Sequence, residues 1–282
     1  MATVPDAATD FVIDLEPPDG PWLAHAPGLQ LYTHDPQLDL VSRNLHRDRI
    51  WEPFETRLML ASLCPEAIVV DVGANLGYFS MLCARADPRP GRVFAFEPAA
   101  DNFALLCRNI AHNGCEDRVV PVEAALAAAE GPGELHRSSD NLGDHQIYAG
   151  DGPRSREAIR FLNGSEFLSE RVDRIDLLKI DTQGSEMAVL EGLLPLLRRS
   201  CRGLRILIEL TPYSLRLAGS SGRQLVTLLD SLGLPLAIVD HLEHRLVASD
   251  CEALCQWCDN VDAGATDRGF MNIFLGSVPP GL

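Results

Sequence analysis

Lysine is nearly missing from this chain: of its 24 basic residues only Lys179 is a lysine, a bias toward arginine that says nothing of function by itself. Long apolar runs are missing too. No stretch approaches the roughly 20 residues that cross a bilayer, and Met1 to Asp10 has no basic segment leading into an apolar core. A soluble, cytoplasmic protein is expected. Internal repeats and Pro/Gly-rich linkers are also lacking, with 19 prolines and 22 glycines spread as punctuation. Positive charge is scarce: forty acidic residues face the 24 basic ones, for a net charge of −16. That balance repels phosphate backbones and anionic membrane faces, which argues against nucleic-acid and membrane partners. What is present is a globular composition, 46% hydrophobic and 23% charged over 282 residues, long enough to bury roughly three quarters of its unfolded surface.

The eight cysteines come without an export signal and read as reduced thiols used as small core residues, several of them (Cys64, Cys83, Cys107) in helix-like apolar periodicity. Apolar runs alternate with helical patterns in the rhythm of βαβ units. Strands are expected at 68–72, 93–96, 119–122, 175–180, 204–210, 236–239 and 270–275. Helices are expected from Gly77, over 99–113, over 186–198 and near 224–232. The fold class is α/β: a mostly parallel seven-stranded sheet with helices on both faces. Residues 1–60 form an extension with a hairpin (11–15 with 29–32) and two helices near Trp51; it either packs on the sheet edge or covers the site. Residues 61–282 form the main domain. Within it, the periodicity breaks at about 127–172 into strand-like pieces at 134–137, 145–148 and 158–162, a candidate lid.

Chemistry concentrates in two segments. In Val69-Val70-Asp71-Val72-Gly73-Ala74-Asn75-Leu76-Gly77-Tyr78-Phe79 a buried strand enters a glycine turn that opens a helix, the geometry of a nucleotide site. A dinucleotide fingerprint needs glycine at 75 and 78, where this chain has Asn75 and Tyr78, so nicotinamide and flavin dinucleotides are disfavoured. Glu97, 26 residues beyond Asp71 and followed by Pro98, ends the second strand where a carboxylate accepts both ribose hydroxyls. A glycine turn with an acidic strand end and no phosphate requirement fits S-adenosylmethionine, whose net positive charge suits an acidic pocket. The second segment is Asp176-Leu177-Leu178-Lys179-Ile180-Asp181-Thr182-Gln183-Gly184-Ser185-Glu186. The crossover rule sets its strand beside the first, so Asp181 emerges next to Gly73, and Lys179 shares a strand face with Asp181. That lysine either meets a point-charge requirement or pairs a nearby carboxylate.

These segments, with Trp51-Glu52-Pro53-Phe54-Glu55-Thr56, Phe96-Glu97-Pro98, Asn141-Leu142-Gly143-Asp144-His145 and Val189-Leu190-Glu191-Gly192, resemble the FkbM-type S-adenosylmethionine-dependent methyltransferases over about residues 50 to 240. The resemblance implies a Rossmann-like methyltransferase sheet ending in an antiparallel strand, here 270–275, and O-methylation of a hydroxyl on a small-molecule natural product or sugar-containing metabolite. The expected cofactor-binding set is Glu55, Asp71, Gly73, Ala74, Asn75, Gly77, Phe79, Glu97, Pro98, Asn102, Ala124, Ala125 and Asp181.

Methyl transfer from a sulfonium expels a neutral thioether, so no general acid is needed and positioning dominates; an alcohol nucleophile gains from a base. Asp181, His145 and Glu209 are the catalytic candidates, Asp181 ahead of His145 because a strand end holds its carboxylate rigidly. A divalent metal is the less favoured option, because Thr211 and Pro212 follow Glu209 where a catechol-type metal enzyme has a further pair of oxygen ligands, and no metal ligand is assigned. Cys251, Cys255 and Cys258 have the spacing of a radical enzyme's iron–sulfur ligands, but only 24 residues follow Cys258 and the same spacing lines one helix face, so packed thiols explain them. The rival functions are a nicotinamide-dependent oxidoreductase and a non-catalytic scaffold for an adenosine ligand. Sequence leaves the acceptor and the oligomeric state open.

Overall fold

The structure, a computed structural model, describes residues 10–15, 28–139, 141–149, 154–264 and 267–282. Residues 1–9, the start of the segment read above for an export signal, lie outside them, as do five residues of the expected lid. Strands β1 (Phe11–Asp14) and β2 (Gln30–Thr33) pair antiparallel, followed by α1 (Leu40–Asp48) and α2 (Pro53–Ala61). The first βαβαβ run is β3 (Ile68–Val72), α3 (Tyr78–Arg85), β4 (Arg92–Phe96), α4 (Ala100–His112) and β5 (Val119–Val122). A three-stranded sheet follows from β6 (Ala125–Ala127), β7 (Gly131–Arg137) and β8 (Ser155–Asn163), closed by α5 (Gly164–Ser169). The second half holds β9 (Leu177–Ile180), α6 (Glu186–Ser200), β10 (Arg205–Leu210), α7 (Pro212–Leu217), α8 (Gly222–Asp230), β11 (Leu236–Asp240), β12 (Arg245–Ser249), α9 (Cys251–Ala263) and β13 (Met271–Leu275).

The main sheet runs β12-β11-β13-β10-β9-β3-β4-β5. From β5 to β10 the pairings are parallel, and β13 inserts antiparallel between β10 and β11. This is the Rossmann-like methyltransferase sheet, with eight strands in place of the expected seven. The addition is β12, joined to β11 by a tight turn in which the Asp240 carboxylate accepts the Leu242 and Glu243 amides. Its residues stay half-exposed at the sheet edge, so no apolar run announces it.

The strands are apolar on both sides because both sides are covered. Val69 and Leu177 belong to the core under α2, α3 and α4, whereas their neighbours Val70 and Leu178 belong to the core under α6, α8 and α9. Strand parity therefore sends Asp71, Lys179 and Glu209, each two residues from a member of the first core, to the α2–α3 side. Chain order reverses at β3, with β4 on one side and β9 on the other, which opens a crevice beyond the carboxyl ends of these strands.

One local expectation is corrected and another is met. Residues 145–148 do not form a strand; Gln146 makes a single bridge to His136 on the free edge of β7, and the pair that would extend it, Ser138 and Asp144, spend their amides on His145 Nδ1 and the Asn141 carbonyl. Cys251, Cys255 and Cys258 lie on α9, the last two buried among apolar side chains, as packed thiols should.

Candidate active site

A cavity of about 540 Å³ occupies the crevice. Its first wall is the turn after β3. Gly73 has φ +80°, and a Cβ there would lie 1.9 Å from the Asp181 carbonyl oxygen, so only glycine lets β9 approach this closely. Its amide and that of Ala74 both donate to the Phe96 carbonyl. Asn75, also left-handed at φ 52°, accepts the Leu76 amide on its own side chain and donates its amide to Glu97 Oε2 at 2.8 Å. Glu97 Oε1 takes the Ala99 amide at 2.9 Å at the start of α4. Burial lifts the Glu97 pKa to about 7, against the pull of these amides.

The opposite wall is acidic. Lys179 Nζ donates to Asp181 Oδ2 at 3.0 Å and lies 4.5 Å over the Phe79 ring. Lys179 stands directly across from Asp71 in the β3–β9 register. Its burial disfavours the ammonium, yet Asp181, Asp71 and Glu52 outweigh that cost and hold its pKa above the ordinary value. Gln183 bridges two carboxylates, its amide nitrogen donating to Asp181 Oδ1 at 3.2 Å and to Glu209 Oε2 at 2.8 Å. Burial, then Asp181, Glu186 and Glu52, push the Glu209 pKa well up. Glu52, at the start of α2, enters the same cavity, and burial followed by repulsion from Asp181 lifts its pKa to about 8.

The remaining wall comes from α1 and the 127–172 segment. Asp39 caps α1 through one carboxylate oxygen and accepts the Leu142 amide on the other at 2.9 Å. Asn102 of α4 donates to the Leu142 carbonyl at 3.0 Å. Gly143 is pressed between Val41 and Asn75. His145 accepts the Ser138 amide on Nδ1 at 3.1 Å, so its neutral ring carries the proton on Nε2. That Nε2 is buried in the cavity wall without a hydrogen-bond partner among the described residues. Burial, with the Arg137 guanidinium, drives the His145 pKa down to about 4.

The family described as "Methyltransferase FkbM domain" matches residues 71–235, more than half the chain. The chain belongs to the FkbM methyltransferase family. Among relatives, it is 27% identical over 163 residues to methyltransferase sdnD of Sordaria araneosa (47% of this chain, 62% of that one). To hexuronic acid methyltransferase AglP of Haloferax volcanii it is 28% identical over 149 residues (52% and 58%). It thus spans less than two thirds of the length of these curated relatives. A solved methyltransferase FkbM from Methylobacillus flagellatus is similar with a TM-score of 0.44 and 14% identity, covering 75% of this chain and 43% of that one.

In this FkbM domain the cavity gathers most of the expected residues: Gly73, Ala74, Asn75, Phe79, Glu97, Pro98, Asn102, Ala124, Ala125, His145, Asp181 and Glu209 line it. Three stand behind the wall instead. Asp71 is buried under the turn, where Ser80 Oγ donates to its Oδ2 at 2.7 Å and Lys179 faces it. Gly77 serves helix packing, since a Cβ there would meet Leu106 of α4 at 2.7 Å. Glu55 points away from the cavity and accepts from Asn272 Nδ2 of β13 at 3.0 Å. The charged groups that weigh most on His145 are Arg137, Asp101, Glu157 and Arg154. Sequence reasoning missed Glu52 and Gln183 as cavity residues. Their signal was a motif glutamate just before Pro53, where it supplies no side-chain cap, and a glutamine two residues from Asp181.

Among the described residues no helix is long and apolar enough to cross a membrane, and no group of three or more His, Cys, Asp or Glu side chains is arranged to hold a metal ion.

Proposed function

We propose that the chain is an S-adenosylmethionine-dependent methyltransferase acting on a hydroxyl of a small polar molecule, a natural product or a sugar-containing metabolite. The observation that carries this reading is the two-ended cavity: a glycine turn braced by Glu97 at one end, and Lys179, Asp181, Gln183 and Glu209 at the other. The donor set fits the ligand, because carboxylates line the cavity and the uncharged polar groups Thr211 Oγ1 and Ser185 Oγ stand buried in its wall without hydrogen-bond partners among the described residues. When bound, S-adenosylmethionine supplies an activated methyl group on a cationic sulfur.

The chain's own groups divide the work. The Gly73–Asn75 turn, Asn102 and Glu97 receive the adenosine, with the remaining lone pairs of Glu97 toward the ribose and Ala124 and Ala125 bordering the base. His145 donates its Nε2 proton at this end and is not the base. Asp181, with each oxygen held by a donor, presents fixed lone pairs to an ammonium or an acceptor hydroxyl. The name of the hexuronic acid relative supports a sugar-like acceptor, and the net charge of −16 favours a small molecule over a nucleic acid.

Calorimetry with S-adenosylmethionine, S-adenosylhomocysteine and NADH tests the reading. Binding of the first two without NADH is expected. Binding of NADH alone would make the chain an oxidoreductase, and binding without turnover on any hydroxyl acceptor would make it a scaffold. An oligonucleotide included among the acceptors should stay unmethylated.

A further inference from the structure

Glu52 is built unlike an ordinary helix start. It occupies the cap position of α2 with φ 42° and ψ 72°, a left-handed conformation that a side chain with a Cβ rarely adopts, and its carboxylate makes no capping bond. The backbone is nevertheless pinned. The Trp51 amide donates to Tyr78 Oη at 3.1 Å, Thr56 Oγ1 donates to the Trp51 carbonyl at 2.6 Å, and the Thr56 amide donates to the Glu52 carbonyl at 2.8 Å. The clip ties α2 to the residue that follows the glycine turn, and it aims Glu52 into the cavity. There Asp181 has both oxygens occupied, by Lys179 and Gln183, and Glu209 has one occupied by Gln183. No hydrogen-bond donor among the described residues holds the Glu52 carboxylate.

We propose that Glu52 is the proton acceptor of the reaction and that it trades its proton for the positive charge of the methyl donor. The inference rests on the methyl-donor reading above. In the free protein Glu52 shares the cavity with Asp181 and Glu209 and is repelled by them and by Glu55 behind the wall, with Lys179 as the opposing cation and Tyr78 as a neighbouring phenol. Crowded by like charges and burial, it holds a proton, consistent with a pKa near 8. A cationic ligand entering between these carboxylates stabilises the ionised form, and the proton leaves to solvent. During transfer the acceptor oxygen bonds to the methyl carbon. The carbon–sulfur bond breaks with its electron pair kept on the neutral thioether, and the hydroxyl proton passes to a Glu52 oxygen. One positive charge disappears from the cavity as one proton arrives, so the acidic wall ends as it began.

Titration calorimetry at pH 7.5 in buffers of different ionisation enthalpy measures the exchange. Wild-type protein should release about half a proton or more per site on binding S-adenosylmethionine, and much less on binding the neutral S-adenosylhomocysteine. Glu52→Gln should keep S-adenosylhomocysteine affinity within about threefold, lose the release, and turn over at least ~100-fold more slowly; Glu52→Asp should retain the release. Equal proton counts for the two ligands in wild-type protein would overturn the inference even if no variant folds, and so would a release that persists in Glu52→Gln. Wild-type protein that binds neither ligand would instead remove the methyl-donor reading itself.

Discussion

The two ends of the cavity are built on opposite principles. At the glycine-turn end the polar groups, His145 Nε2 apart, are satisfied by backbone: Glu97 takes two amides, Asn75 takes one, and Gly73 and Ala74 share one carbonyl. At the far end, side chains satisfy one another only in part, with carboxylates crowded around one ammonium and one amide. The first arrangement is fixed by backbone hydrogen bonds. The second is electrostatically incomplete, and a buried charge cluster in that condition awaits a partner of opposite sign.

The largest effect should come from the incomplete end. Asp181→Asn keeps an oxygen to accept from Lys179 but removes the charge, so turnover should fall by roughly 100-fold or more. A change confined to the Michaelis constant for S-adenosylmethionine would place Asp181 on the cofactor ammonium instead. At the glycine-turn end, Glu97→Ala should weaken cofactor affinity by at least ~10-fold, because charge-assisted hydrogen bonds are lost; an unchanged dissociation constant in the folded variant would remove Glu97 from the site.

Acidity links the two ends to stability. Burial raises the pKa of Glu97 and Glu186 from 4.5 to about 7, so the folded protein binds these protons more tightly than the unfolded chain. The associated stability is full below about pH 4.5 and is lost as pH rises through about 7, on the order of 3 kcal/mol for Glu97. The melting temperature of the ligand-free protein should therefore fall between pH 5 and 8; a flat or rising profile would mean these carboxylates are better solvated than their burial implies. The smallest effect should be that of His145→Ala. It should raise the cofactor dissociation constant by about three- to tenfold, the loss of one hydrogen bond, leave turnover at saturation intact, and be partly rescued by His145→Gln. With the ring neutral above about pH 4, wild-type activity should show no His145 ionisation near neutrality. A dead His145→Ala beside an active Asp181→Asn would reverse these assignments.

The glycine-turn end was the more legible in sequence. A turn that needs positive φ at Gly73 and a carboxylate at a strand end leaves marks at fixed spacing, because the backbone itself demands those residue types. Parity likewise set Lys179 and Asp181 on one face, and they meet at 3.0 Å. The incomplete end was legible only in part. Glu52 reaches Asp181 through the packing of α2 against α3, a meeting that no local pattern encodes. Asp71 and Glu55 carried the right chemistry at motif positions and point behind the wall, since motif spacing cannot tell a lining residue from a bracing one. The expected strand at 145–148 failed because the amides of Ser138 and Asp144, which would extend the ladder beyond the His136–Gln146 bridge, are taken by the His145 ring and the Asn141 carbonyl.

The contacts at Leu142 have a further bearing on engineering. Its amide is held by Asp39 from the amino-terminal segment and its carbonyl by Asn102 of α4, so two stretches far apart in sequence close the cavity through a shared residue. A graft intended to change acceptor preference by replacing the 127–172 segment alone would leave Asp39 and Asn102 facing unfamiliar backbone. The exchangeable module is the segment together with the start of α1, and chimeras that move the two as a pair should keep a cavity that those moving one would open to water.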